Sequence, residues 1–462
     1  MLKLIPVRQV VLLTFGLLWL ATAGFGAASI SLSLASGPPT TALRISGAGF
    51  PATNIVDISF DDTLLASPLT DGSGAFTQTI QVPSSALPGG HLVTAVAQNS
   101  SVSAQKAFVV RASWPQHGLL ATGGRNNIYE NVLTVANVGA LGLRWTFPIG
   151  GPGSSPVVAN GAVYAGSVDG NVYAVKAITG AKLWSFKTGF SVFSDAAVAS
   201  GMLFVGSLDD HFYALNSSTG ALLWSFDLGL EGGGVDSSPA VANGAVYFGS
   251  DGEGDSGGAI YALNALTGAK LWSFETGIAA GSPAVANGVV YAGSGNFDLN
   301  ALDAKTGAKL WSFSAGGTSY APAVGNGMVY FGSDDNNIYA LNAATGAKIW
   351  SFATGNSVAG APAIANGVVY AGSSDGNVYA LNALNGAFLW SFTTGAAVQG
   401  SPAVANGVLY VSSGDHKVYA LNASNGALLW NYTTGGFLSS APTVANGIVY
   451  LVSNDGNLYA FD

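Results

Sequence analysis

ANGVVYAGSSDGNVYALNALNGAFLWSF, residues 365–392, decides the fold. Asn366-Gly367 and Asp375-Gly376 are pairs that tolerate positive φ at both central positions of a type I′ turn, so each predicts a tight antiparallel reversal. These turns separate VVYAGS from NVYALNA, a third turn ending at Gly386 leads into AFLWSF, and APAIA in front supplies a short first strand. Four antiparallel strands in about 40 residues form one small sheet. Near copies run through most of the chain and align on Trp145, Trp184, Trp224, Trp272, Trp311, Trp350, Trp390 and Trp430, with spacings of 39, 40, 48, 39, 39, 40 and 40 residues. A period near 40 is that of a propeller or solenoid.

Counting the copies selects between those two. The first three strands recur eight times, starting near Ser155, Asp195, Ser238, Ser282, Ala321, Ala361, Ser401 and Ala441. The copy from Ala441 has no fourth strand before Asp462, while LGLRWTFPIG, residues 141–150, is a fourth strand with no blade in front of it. If these two ends pair, the sheets close into a ring with no orphan strand. The expected fold class is therefore all-β: an eight-bladed β-propeller of four-stranded antiparallel blades with velcro closure, over residues 141–462. The tryptophan column supplies the packing. Each buried indole removes roughly 200 Å² from water, a gross upper figure of about 5 kcal/mol.

The element ALNALNGAFLW, with Ala380, Gly386 and Trp390 at fixed offsets, resembles the A-x-D-x-x-T-G-x-x-x-W motif of pyrroloquinoline-quinone (PQQ) repeats. The third position is mostly Asn here (Asn216, Asn264, Asn342, Asn382, Asn422), once Asp303 and once Lys176. In front of the repeats, residues 113–145 contain WPQHG and ENVLTVANVGAL, similar to the lead-in of quinoprotein dehydrogenases. We expect residues 113–140 to be a strap that lies along the ring and delivers its first outer strand. Residues 29–112 alternate apolar and polar around turns such as Asp71-Gly72 and Pro88-Gly89-Gly90, and SGAGFPATNIVDISFDD resembles the Ig-like modules of bacterial and archaeal surface proteins. A small Ig-like β-sandwich is expected there. Residues 1–28 read as a signal peptide: Lys3 and Arg8 precede an apolar run over residues 10–20, with Ala21-Thr22-Ala23 as a small-residue cleavage site. An uncleaved anchor is the other reading, since no charge lies between Arg8 and Arg44. The expected location is secreted, periplasmic or cell-surface, with no membrane span once the signal is cleaved.

Composition narrows the function. Only 8% of the 462 residues are charged, the net charge is −9, and there are 64 glycines and no cysteine. A net negative chain without clustered Lys or Arg disfavours nucleic acid, and no nucleic-acid partner is expected. The absence of cysteine excludes disulfides, thiolate metal sites and a lipidated N-terminal Cys.

The family resemblance implies two function classes. Quinoprotein dehydrogenases hold PQQ and Ca²⁺ on the ring axis, commonly beneath a Cys-Cys pair and beside Glu, Asn, Asp and Arg side chains. Other rings of this kind are non-catalytic scaffolds, such as the outer-membrane assembly factors. The segments leading into the inner strands, such as GIAAGSPAVA and GAAVQGSPAVA, offer mainly Ser, Ala and Gly. His211 and His416 fall at reversals and assemble no catalytic set, so we assign no catalytic and no cofactor-binding residue, and PQQ is not expected. The favoured reading is a monomeric exported scaffold for a protein or surface glycan, a basic partner included. The alternative is a PQQ-dependent dehydrogenase of alcohols or sugars.

Two departures from the repeat mark candidate sites. In blade three, Asp251, Glu253 and Asp255 alternate with glycine, as in loops that wrap Ca²⁺ with oxygens at alternate positions. A solvated, Gly-rich acidic loop is the competing reading. In blade four, Asn296-Phe297 takes the Asp-Gly place and Asn300 replaces the usual Tyr, so Phe297 is either a partner contact or a folded-over tip. Reversals between second and third strands should share one face with the links between blades, gathering carboxylates there. No Lys or Arg occurs from Thr188 to Ala269. The binding sector expected is thus blades two and three, with Asp209, Asp210, Glu231 and Asp236, plus Phe297.

Overall fold

The computed structural model describes residues 27–229, 233–252 and 257–462, so residues 1–26 of the signal peptide expected over 1–28 lie outside the described residues. Two compact units are present. In the N-terminal unit, Ser29–Leu32, Ala42–Ala48 and Phe76–Gln81 form one antiparallel sheet. A second sheet has Ser36–Gly37, Ser103–Val110, Gly89–Ala97, Val56–Phe60 and Thr63–Ala66 in that order. Leu43, Ile45, Val56, Ile58, Val93 and Ala95 are buried at alternate positions, as the period-2 pattern requires.

The larger unit is an eight-bladed propeller. Blade one is Val157–Ala159, Ala162–Gly166, Asn171–Lys176 and Lys182–Lys187, all antiparallel, and the later blades repeat this order. Each three-residue inner strand contacts the next, and the last contacts the first, so the ring closes. Blade eight has Thr443–Ala445, Ile448–Ser453 and Asn457–Phe461, and its outer strand is Leu143–Pro148, with Trp145 opposite Ala460 and Phe147 opposite Leu458. Arg144 forms an ion pair with Asp462 beside this seam.

The tryptophans hold neighbouring blades together through a repeated contact. Trp390 Nε1–H donates to the Ala423 carbonyl of the next blade at 3.2 Å, and its ring lies so close to Gly426 that a Cβ there would stand 2.6 Å from it. The same pairing joins Trp145 to Gly180, Trp184 to Gly220, Trp224 to Gly268 and Trp272 to Gly307. These glycines have φ near +70°, so both backbone and space demand Gly, which explains the T-G-x-x-x-W spacing. Trp430, whose following blade has no such turn, donates instead to Leu141 O at 2.9 Å. The Asn at the motif's third position needs only an acceptor: Asn342 Oδ1 takes the N–H of Ala344 and Thr345.

The first reversal of each blade has the expected type I′ geometry, with Asn366 at φ +50° and Gly367 at +76°. The second does not. Only its last position is left-handed (Gly170, Asp210, Phe297, Asn336, Gly376, His416, Gly456), which makes it a type I turn with a G1 bulge.

Candidate functional site

Asp375 shows what the second reversal gains from this turn. Its carboxylate accepts Tyr379 Oη–H at 2.7 Å, the Asn377 N–H at 2.8 Å and, from the link between blades, the Gly355 N–H at 2.7 Å. The latch recurs at Asp209, Asp335, Asp415 and Asp455, each bonded to the tyrosine four residues on and to a link glycine. In blade one Asp169 likewise holds Tyr173 at 2.6 Å. Burial pushes these carboxyls up, but the hydrogen bonds from tyrosine and backbone outweigh it and hold Asp169, Asp335, Asp375 and Asp415 below their ordinary value. Burial and the adjacent carboxylate push Tyr379 up to about 12. Most of the acidic column is therefore structural rather than free charge on a face, Asp209 of the expected binding sector included. Blade four has lost both partners at once, with Asn296 and Asn300 in the Asp and Tyr places, and blade three has Gly257 in the Asp place.

On the axis, the links from all eight blades surround a cavity of about 350 Å³. Ser155, Ser238, Ser282 and Ser401 form part of a belt in which each hydroxyl accepts an N–H from the preceding blade, as Ser238 N donates to Ser282 Oγ at 2.8 Å and Ala361 N to Ser401 Oγ at 2.8 Å. Asp195 is the belt member of blade two and accepts Ser155 N–H at 2.5 Å. Three carboxylates line the cavity: Asp195, Asp236 and Asp251. Asp236 and Asp251 share a hydrogen bond. Burial raises both, and the charge of Asp236 helps carry Asp251 up to about 7.

The cavity floor is the strap, and it does more than lie along the ring. It circles the axis and meets the middle residue of every inner strand in blade order. Trp114 pairs with Val158; the carbonyls of Pro115, Ala121, Thr122, Gly124 and Arg125 accept the N–H of Val198, Val285, Val324, Ile364 and Val404; Gln116 Oε1 accepts Val241 N–H. Asn127 Nδ2 completes the circle on Val444 O. Inner strands present unpaired edges at the axis, and the strap satisfies them. Gly118 and Gly123 approach so closely that a Cβ on Gly118 would stand 2.2 Å from Gly123 Cα.

Arg125 locks this floor. Only 1% exposed, its guanidinium donates from Nε to Pro402 O at 2.8 Å, from Nη2 to Pro442 O at 3.0 Å and from Nη1 to His117 O, and it stacks 5.2 Å over Trp114. Burial lowers it to about 10, with Asp195 acting in the other direction. Asp195, 4% exposed, also takes His117 Nδ1. Asp195 is therefore a paired interior group and not part of an open acidic face. Neither His117 nor Arg125 stood out in the sequence, although a lone arginine beside Gly123-Gly124 in a charge-poor segment was a signal for close backbone packing around a buried cation.

Of the remaining expected site residues, Glu231, Glu253 and Asp255 lie outside the described residues. Asp251 points into the axial cavity and pairs with Asp236, and among the described residues no group of three or more His, Asp or Glu could hold a metal. Asp210 occupies a left-handed turn position, and Phe297 is 48% exposed at the blade-four reversal. Among the described residues no helix is long and apolar enough to cross a membrane.

PQQ, a planar quinone carrying three carboxylates, needs cationic partners. Among the described residues the lining supplies no Lys or Arg: beside His117, whose ring is bonded to Asp195, its charged groups are three aspartates, and the Arg125 guanidinium is spent on three carbonyls. The residues present do not fit the cofactor.

Residues 134–256, 168–312, 256–399 and 374–462 match the protein family described as outer membrane protein assembly factor BamB. Among solved structures, the chain is similar to the quinohemoprotein alcohol dehydrogenase of Comamonas testosteroni, at 16% identity over 76% of this chain and 80% of that one, TM-score 0.66. It is similar to BamB of Moraxella catarrhalis, at 20% identity over 70% and 99%, TM-score 0.58. The computationally designed protein Ika8 aligns at 18% identity over 68% and 98%, TM-score 0.60. At these identities the likeness is one of fold. No curated protein matches the chain.

Proposed function

Since the chain belongs to the PQQ-repeat propeller family described as outer membrane protein assembly factor BamB, we propose that it is an exported, non-catalytic scaffold that binds a protein partner at the cell envelope. One observation carries this reading: the axial cavity, where the dehydrogenases of this fold are expected to do their chemistry, is lined by hydroxyls and carboxylates and floored by a strap whose cation is fully engaged. Such a lining repels an anionic quinone and attracts polar or cationic groups. The binding sector is the cavity-side face at blades three and four, with Asp236, Asp251 and Phe297, rather than blades two and three, because Asp209 and Asp195 are committed to the fold. Export rests on the charged and apolar pattern of residues 1–28. Purified protein titrated with PQQ and Ca²⁺ should show no quenching of its tryptophans and no dye-linked oxidation of alcohols or sugars. Saturable PQQ binding with turnover would establish a dehydrogenase instead. A photo-crosslinker placed at Phe297 in the native host should capture a protein, and capture of polysaccharide alone would make the partner a glycan.

A further inference from the structure

Phe297 occupies a backbone position that its side chain disfavours. It has φ +75°, where the other blades place Gly, Asp, Asn or His, and a bulky aromatic in the left-handed region is strained by roughly 1–3 kcal/mol. That strain is not offset by full burial, because the residue is 48% exposed. Ile278, 52% exposed, lies against the same reversal: its Cγ2 would stand 2.6 Å from a Cβ on Gly295. Ser294 and Gly295 of this turn line the axial cavity together with Asp236 and Asp251. Blades three and four, where the Asp-Tyr latch has been given up, thus combine two exposed apolar side chains with a carboxylate pair at a cavity wall.

Resting on the scaffold reading above, we propose that this mouth docks a basic segment of a protein partner, with one lysine or arginine side chain entering the cavity against Asp236 and Asp251 and flanking apolar side chains covering Phe297 and Ile278. Charge complementarity identifies the occupant. Among the described residues the cavity lining carries three aspartates and no Lys or Arg, and no Lys or Arg occurs in the sequence from Thr188 to Ala269. Two carboxylates hydrogen-bonded to each other must hold a proton between them, and an incoming ammonium or guanidinium takes that proton's place. Binding should therefore release a proton and tighten as pH rises from 6 to 8. The other titratable groups lining the cavity among the described residues are His117 and Asp195, bonded to each other, and Tyr320, bonded to Asp334 at 2.9 Å and pushed up to about 12 by burial and that carboxylate.

The test uses the full chain and a fluorescein-labelled Gly-Phe-Lys-Leu-Phe-Gly amide, with versions carrying glutamate or norleucine in place of lysine. The lysine peptide should bind at least tenfold tighter than either, more tightly at pH 8 than at pH 6, and with affinity falling as salt rises. D236N/D251N should lose that tenfold and make the lysine and norleucine peptides equal. Phe297→Gly should weaken the lysine and norleucine peptides alike while raising the melting temperature, since it relieves the strained backbone; a merely structural Phe297 would show the thermal gain with unchanged binding. Equal binding of lysine and glutamate peptides, no binding of any peptide, or insensitivity to D236N/D251N overturns the proposal. Crosslinking of a protein at Phe297 with no lysine-peptide binding would leave the scaffold reading standing and remove this inference alone.

Discussion

Replacing Arg125 with Met tests whether the strap is a keystone or a passenger. The side chain is fully buried and donates to three carbonyls contributed by blade seven, blade eight and the strap itself, while its charge faces the buried Asp195. Methionine fills much of the volume but leaves those carbonyls without donors and Asp195 without a counter-charge. Removing one partner of such a pair costs about 3–5 kcal/mol. For a propeller of about 350 residues, at roughly 2.1 cal/mol/K per residue, 4 kcal/mol corresponds to a fall of about 5 °C in Tm. R125M/D195N removes the stranded carboxylate as well, so the double variant should be less destabilised than the sum of the singles by about 1–2 kcal/mol. R125K should sit near R125M, because an ammonium cannot reproduce the guanidinium fork. Guanidinium chloride unfolding followed by tryptophan fluorescence reads the free energies, with Trp114 stacked on the guanidinium as a local reporter. A loss below about 1 kcal/mol for R125M, or strict additivity with D195N, would refute the coupling.

Three further outcomes follow from the geometry. Deleting residues 141–148 should lower Tm far more than removing an exposed loop of equal length, and Trp145→Ala alone should cost about 2–4 kcal/mol in denaturant unfolding, because the indole packs on Gly180 and donates to Ala177 O at 3.0 Å. Asp375→Asn should cost about 1–2 kcal/mol, whereas the double change Asn296→Asp with Asn300→Tyr, which rebuilds the latch in blade four, should raise Tm measured by calorimetry. Asp251→Asn should leave Tm unchanged near pH 4 and raise it increasingly up to about pH 7. The folded carboxyl keeps its proton over this range while the unfolded one loses it, so rising pH favours the unfolded wild type, and a pH series of melting curves on both proteins checks the sign.

The site was only partly legible beforehand. Phe297 and Asn300 were visible as departures from a strict repeat, and the acidic bias of blades two and three was visible as composition. The Asp-to-Tyr spacing of four residues, kept in six blades and absent from both blades three and four, was in the sequence too, and its joint loss was the signal that would have separated structural carboxylates from available ones. The second reversal departs from the expected type I′ turn: its Asp-Gly serves as carboxylate acceptor plus bulge, and not as two left-handed residues.

The sequence by itself determined the repeat, the four strands of each blade and the pairing of residues 141–150 with the last blade, because period-2 patterning, Asn-Gly turns and the Trp-Gly contact are local or recur at a fixed spacing of about 40 residues. Tertiary structure alone decided the strap's path around the axis. Its partners are eight backbone positions between 40 and more than 300 residues away, six of the eight contacts use main-chain groups that every residue carries, and nothing in it repeats. The pairing of His117 with Asp195 is likewise a product of the strap's path, while Asp236 and Asp251 meet within blade three; ring closure then brings eight separate links to one axis and turns isolated polar residues into a single lining.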